Sequence, residues 1–261
     1  MADQQTANDI FQSVFQQTLL SDGFVKKRKS FYYLVNWEQG WLKTLNMHVY
    51  SSGRMFRICC NVHPFTEPPF KEISANMDDG HDLLMLRLHA DPGYNPLAGG
   101  YFTLAPFMPS EESIQRVHNI YVNYFRQQFL RCQSLNEVLN YQRKLELMAY
   151  SGAWNEINRL YGYLYAGDKE QALIAAYLYL NQLQMHKNSF ESMLAGEEQQ
   201  PEPREREIQS HHQSIETLAN QILNMKQFIE TLEYGDASGL LKEAKDRFDM
   251  AKAQYKTLFG R

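Results

Sequence analysis

Apolar residues along this chain follow a helical spacing at first, then an alternating one, and return to a helical spacing beyond Ser110. Within residues 9–20, apolar side chains recur on a single helical stripe, which predicts an amphipathic helix. Gly23 can end this helix, because glycine readily adopts the left-handed conformation of a helix cap. The first predicted element is therefore a helix that ends near Gly23.

Three alternating runs follow the first helix and predict β-strands. Their connections at residues 38–40 and 51–53 are short and contain glycine, which is typical of antiparallel hairpins. A further alternation at residues 84–88 predicts a fourth strand. Together these elements predict an α+β domain over residues 1–109, with an N-terminal helix and an antiparallel β-meander. The apolar positions of the three runs are Phe31, Tyr33 and Val35, then Trp41, Leu45, Met47 and Val49, and then Phe56, Ile58, Cys60 and Val62.

The next segment, residues 110–195, predicts a helical region. Ser110 is a favourable N-cap for its first helix, because a serine hydroxyl can accept a hydrogen bond from a free backbone N–H of the first turn. Ser134 and Glu137 have the spacing of a capping box, which indicates the start of another helix.

A helix pair is predicted over residues 152–165 and 168–186. The turn between the two helices resembles that of tetratricopeptide-type repeats, but no second copy occurs at the repeat period, so a solenoid is not predicted. Five residues of the second helix are predicted to face a neighbouring element, namely Leu173, Ile174, Tyr177, Leu180 and Leu183.

The last part of the chain carries apolar residues at the seven-residue spacing of a coiled coil. We predict that residues 207–261 form an antiparallel coiled-coil hairpin, preceded by a flexible link of polar and proline-bearing sequence at 196–206. The first predicted seam contains Ile208, His211, Ile215, Leu218, Ile222, Met225, Ile229 and Leu232, and the second contains Leu241, Ala244, Phe248, Ala251, Tyr255 and Leu258.

Composition narrows the classes of function. The net charge of −4, with 21% charged residues, argues against a nucleic-acid-binding protein, because non-specific binding to phosphates is mainly electrostatic. No run approaches the roughly 18 apolar residues of a membrane-spanning helix, and no secretory signal is recognisable. The three cysteines, Cys59, Cys60 and Cys132, do not suggest a disulfide framework. These features predict a cytoplasmic protein without a membrane partner.

Two groups of residues are candidates for binding a protein partner. Lys26, Lys27, Arg28 and Lys29 form the densest basic cluster of the chain, which fits either a solvated turn or recognition of an acidic partner surface. Tyrosines are frequent in the helical part, and tyrosine anchors many protein interfaces, although core packing is the more common explanation for such residues. The tyrosines that we select as candidates are Tyr161, Tyr165 and Tyr179.

Catalytic and metal-binding patterns are weak. The segment from Asp78 to Asp82 contains suitable metal ligands, including His81, but its spacing matches no established metal-binding loop. Cys60 and His63 would lie on opposite faces of a strand, and Cys59 would lie roughly 13 Å from His63 along the same face. We therefore predict no catalytic residues, no metal and no cofactor.

The string from Gly23 to Tyr32, which follows an amphipathic helix and precedes alternating strands, resembles a bacterial domain-of-unknown-function family, the one numbered four-three-zero-four. The resemblance covers residues 8–110 and leaves the helical part unaccounted for. It implies a small α+β domain without assigned catalytic residues, similar to proteins encoded beside bacterial toxins, many of which are immunity proteins.

The main hypothesis is therefore a non-enzymatic protein that binds a cognate bacterial toxin stoichiometrically and occludes its active site. Two alternatives remain open at this stage. One is a hydrolase-like enzyme with a pocket of histidines and aspartates in the N-terminal domain. The other is a coiled-coil adaptor that dimerises through residues 205–259. The protein itself is expected to be a monomer or a dimer formed through the C-terminal hairpin.

Overall fold

The structure is a computed structural model that describes residues 2–49, 56–66, 81–83, 110–148, 156–199 and 204–260. Its elements, in chain order, are α1 (Ala2–Ser21), β1 (Val25–Arg28), β2 (Phe31–Asn36), β3 (Trp41–Val49), β4 (Phe56–Pro64), β5 (His81–Asp82), α2 (Glu111–Ile120), a π-helical turn (Tyr121–Phe125), α3 (Arg126–Arg131), α4 (Leu135–Met148), α5 (Glu156–Tyr165), α6 (Lys169–Glu198), α7 (Glu205–Tyr234) and α8 (Ser238–Phe259).

The five strands form one antiparallel sheet in the order β1-β2-β3-β4-β5. This arrangement confirms the predicted α+β class, with its N-terminal helix and β-meander. Gly23 has a φ of 86° after α1, as the predicted helix end requires. The fourth strand predicted at residues 84–88 lies outside the described residues.

One face of the sheet is apolar and forms the core of the first unit. Side chains alternate between the two faces of a strand, so every second residue of β3 and β4 points to this side. Helices α1, α2 and α4 supply the opposing apolar residues, and the predicted caps are in place: Ser113 N donates to Ser110 Oγ, and Ser134 N donates to a Glu137 carboxylate oxygen. The core includes Phe11, Phe15, Tyr32, Leu45, Ile58, Cys60, Val62, Val117, Tyr121, Phe129 and Val138.

The opposite face of the sheet is covered in part by the second half of α8. The ring of Phe259 lies 5.1 Å from that of Tyr33, and Tyr255 stacks on Phe65 at 4.7 Å. Phe248 is fully buried above Gly40, where a β-carbon would come within 2.1 Å of the Phe248 ring. The aromatic stripe of α8 therefore packs on a sheet, a surface that its seven-residue spacing did not predict.

The second unit contains α5, α6, α7 and the first half of α8. Helices α6 and α7 run antiparallel: Arg204 pairs with Glu197 at 2.7 Å, and the ring of Phe190 lies 5.8 Å from that of His211. Helix α7, the first helix of the predicted hairpin of residues 207–261, thus packs along α6, and α6 and α7 form a hairpin that was not predicted. Both helices are 30 residues long, so α6 can cover the whole seam of α7, whereas α8 has 22 residues.

The division into units also differs from the predicted boundary at residue 109. The first unit comprises residues 1–153 together with 248–261, and the second comprises residues 154–247. Helices α2 to α4 belong to the first unit because the apolar face of the sheet needs them as its cover. Gly196, predicted to open a flexible link, lies inside α6.

Candidate functional site

The predicted basic cluster lies at the end of the sheet. Lys26, Lys27 and Arg28 belong to β1, which pairs with β2 alone among the described residues, and Lys29 follows at the turn. We call these four residues the basic edge. The strand is short and exposed or half-buried throughout, so its cations can be reached from solvent.

The strand ladder distributes the cations over both faces of the sheet. Lys26 is paired with Tyr32 and Arg28 with Phe31, and the register shifts between them, which leaves Lys27 as an extra residue. Tyr32 lies on the apolar-core face and Phe31 on the other, so a partner approaching this end meets positive charge on either side.

Two of the four cations also stabilise the first unit. The Lys27 ammonium donates to the Leu258 carbonyl at 2.9 Å and lies 3.9 Å from the centre of the Phe259 ring, so it caps the C-terminus of α8. Burial, with a smaller effect of the neighbouring Arg28 charge, lowers the pKa of Lys27. Lys29 forms an exposed ion pair with Asp9 at 2.6 Å.

The three candidate tyrosines have different environments. Tyr161 is buried within the second unit, where its hydroxyl donates to Glu243 at 2.8 Å and the Arg247 guanidinium lies 3.9 Å from its ring centre. Burial, followed by the Glu243 hydrogen bond, raises the pKa of Tyr161 to about 12. Tyr179 is half-buried on α6, and Tyr165 is exposed at the end of α5. Of the three, Tyr165 is thus the best placed to meet a partner.

The face of the sheet below α8 is unusually polar for a buried surface. Thr44, Asn46, Cys59 and His63 are almost fully buried there, and His63 Nε2 lies 3.4 Å from Thr44 Oγ1. Each of these four residues has an interaction partner, which favours a structural role for this face. Cys59 and Cys60 face opposite sides of β4, and Cys60 lies in the apolar core, as the spacing predicted.

A buried lysine on the apolar face was not anticipated from the sequence. The Lys43 ammonium donates to the Cys132 carbonyl at 2.5 Å and lies 4.3 Å from the centre of the Trp41 ring. Trp41 Nε1 donates to the neighbouring Gln133 carbonyl at 2.6 Å, so both side chains fasten the end of α3. Burial lowers the pKa of Lys43 to about 8. These contacts identify Lys43 as a helix-capping residue.

The inward face of α6 differs from the predicted one. Ile174, which was expected to face a neighbour, is exposed. Tyr177 is also exposed, but its hydroxyl donates to Glu233 of α7 at 2.7 Å, and Leu183 is buried as expected. The buried positions also include Ala172, Ala175 and Ala176. Small side chains at helical spacing are the sequence signal that indicates this face, because they let two helices pack closely.

Among the residues that the structure describes, no group of three or more His, Cys, Asp and Glu side chains could hold a metal ion. His81 and Asp82 lie in β5, which pairs with Cys60 and Cys59 of β4. The described helices include none that is long and apolar enough to span a membrane.

Comparison of the chain with protein-family models, with curated proteins and with solved structures finds no match. The family resemblance of residues 8–110 therefore stays an expectation, and any function has to be argued from the residues themselves.

Proposed function

We propose that this protein is a non-enzymatic, cytoplasmic immunity protein that inhibits a bacterial toxin by stoichiometric binding. The observation that carries the proposal is the basic edge: three consecutive cations of the accessible strand β1 and a fourth at the turn that follows, in a chain whose net charge is −4. A local charge of opposite sign to the whole chain favours one orientation of an acidic partner. Cys59, Cys60 and Cys132 form no disulfide, which fits the proposed reducing compartment.

The edge strand also supplies a docking geometry. Among the residues that the structure describes, β1 is an end strand of the sheet. We propose that an extended segment of the partner lies along this strand, where the flanking cations select acidic side chains. A strand of four residues is too short to form a standard interface of roughly 1,600 Å² by itself. The proposed partner therefore makes further contacts, and the basic edge mainly sets orientation and association rate.

The test is a calorimetric titration against the protein encoded by the adjacent reading frame. We expect an equivalence point near one to one for the unaltered chain. The double variant Lys26→Glu/Arg28→Glu should weaken binding at least tenfold, mainly through slower association at low salt. A matched control is Lys242→Glu/Lys245→Glu, which makes the same charge change at exposed positions of α8.

Three results would count against the proposal. Equal weakening by both double variants would indicate a non-specific charge effect. Unchanged binding by Lys26→Glu/Arg28→Glu would place the binding surface elsewhere. Protection of cells at far less than one equivalent of this protein per toxin would indicate an enzyme that reverses the toxin's damage.

The two alternatives receive less support from the described residues. The hydrolase hypothesis places its pocket between the sheet and the proline-rich loops at residues 64–80 and 91–100. These loops lie almost entirely outside the described residues, so that hypothesis stays a prediction. The coiled-coil adaptor needs the seam of α7 for another chain, but α6 occupies this seam within the same chain.

A further inference from the structure

Helix α6 carries a second seven-residue pattern on the side opposite to its buried face. Residues at alternating steps of four and three form this outer stripe, and all are exposed except the half-buried Leu178. Three stripe residues each follow a buried residue by two positions, and two positions along a helix correspond to a rotation of about 200°. The stripe therefore lies opposite the buried Ala172, Ala176 and Leu183. The outer stripe consists of Ile174, Leu178, Asn181, Met185, Asn188, Ser192 and Ala195.

The outer stripe is unlike an ordinary solvated helix face. Residues 171–186 contain no Asp, Glu, Lys or Arg, whereas solvated helix faces are normally rich in charge. Ile174 and Met185 are 38% and 63% exposed. Asn181 Nδ2 lies 3.8 Å from Met185 Sδ, which places these two side chains side by side on the surface.

We propose that the outer stripe pairs with the same stripe of a second copy of this chain, with the two α6 helices parallel and in register. Asn181 and Asn188, seven residues apart in the stripe, are the reason for proposing a second copy of the chain as the partner. An amide in an apolar seam is costly unless another polar group meets it, and parallel in-register pairing puts each asparagine opposite its own copy. The absence of charge between residues 171 and 186 removes the repulsion between identical faces.

The size of the stripe sets the strength of the dimer. From Ile174 to Ala195 it extends roughly 30 Å at the rise of an α-helix. One helix pair of this length buries less than the roughly 1,600 Å² of a standard interface. The dimer is therefore reversible, with a dissociation constant in the micromolar range or above. This inference is independent of toxin binding, because the basic edge lies in the other unit.

Sedimentation velocity from low to high micromolar concentration tests the self-association. The unaltered chain should shift from monomer to dimer over this range, and Met185→Lys should raise the dissociation constant at least tenfold. Leu223→Lys is the matched control, because Leu223 is an exposed leucine of α7, 54% accessible, outside the stripe. A chain that stays monomeric throughout, or an equal effect of both variants, would overturn the proposal.

The orientation has a separate test. In a Cys132→Ser background, Asn188→Cys should form a disulfide-linked dimer on mild oxidation, because parallel register places residue 188 opposite its own copy. Antiparallel pairing would separate the two cysteines along the helices. Failure to cross-link while the dimer persists in the ultracentrifuge would therefore overturn the parallel arrangement, and circular dichroism would verify that the variant is folded.

Discussion

Helices α7 and α8 carry apolar residues at the same seven-residue spacing, yet they bury them against different surfaces. The stripe of α7 packs along α6, and its burial increases from half-buried at Ile208 to buried at Leu232. On α8, Leu241 is exposed near the start, whereas Phe248 and Tyr255 are fully buried against the sheet. A heptad pattern therefore indicates the side of a helix that packs, but neither how deeply each position is buried nor which surface covers it.

The difference follows from the side chains on each stripe. The α7 stripe is mainly aliphatic, and aliphatic residues at this spacing interlock with a second helix. The buried half of the α8 stripe is mainly aromatic, with Phe248, Tyr255 and Phe259. Large flat rings pack well on a sheet that offers further rings, here Tyr33 and Phe65.

The largest expected effect comes from Phe248→Ala. Removing a fully buried ring leaves a cavity between α8 and the sheet, and we expect a loss of about 4 kcal/mol in the free energy of unfolding. Urea denaturation followed by circular dichroism measures it. Met250→Ala is the control, because Met250 is largely exposed two residues later on the same helix. A loss below about 1 kcal/mol for Phe248→Ala would contradict the packing of α8 on the sheet.

A second prediction concerns the gradient along α7. Ile229→Asp buries a carboxylate in the tightly packed part of the seam and should cost about 3 kcal/mol or more. Ile222→Asp, at a half-buried position one heptad earlier, should cost about 1 kcal/mol, because its carboxylate keeps access to water. Equal losses in matched thermal and urea unfolding would show that burial along α7 is uniform, against the gradient described here.

Gly40→Ala tests the close approach of α8 to the sheet. Gly40 has a φ of 74°, which an alanine adopts at a cost, and its new β-carbon would meet the Phe248 ring. We expect a loss of about 2 kcal/mol in the unaltered chain and about half of that in a Phe248→Ala background, where only the backbone strain remains. If the losses from Gly40→Ala and Phe248→Ala are additive in this double-mutant cycle, the Phe248 ring does not restrict the size of the side chain at position 40.

The smallest effect is expected at Leu241, a member of the predicted α8 stripe that is 47% exposed in the structure. Leu241→Ala should change the free energy of unfolding by no more than about 0.5 kcal/mol, because little apolar surface leaves the interior. Ala244→Ser, at the next and fully buried stripe position, gives a comparison on the same helix. A loss above about 1.5 kcal/mol at Leu241 would support the predicted hairpin of α7 and α8 instead.

Much of the fold could be predicted from local sequence. The first helix, the three strands, and the caps at Ser110 and Ser134 all follow from residues close together in the chain. The basic edge could be found by composition alone. The contact by which Lys27 caps α8 could not be predicted in this way, because the accepting carbonyl of Leu258 lies far from Lys27 in the sequence.

Local sequence specifies most of the helices and strands and, for many of them, the side that is buried, because backbone propensity and side-chain periodicity act over a few residues. The packing partners arise only in the folded chain: α6 for α7, the sheet for the end of α8, and α2 to α4 for the apolar face. Partner choice depends on matching length, shape and polarity between surfaces that distant residues create. Such matching has no local signature, so an exposed Ile174 and a buried Lys43 emerge only once the chain is folded.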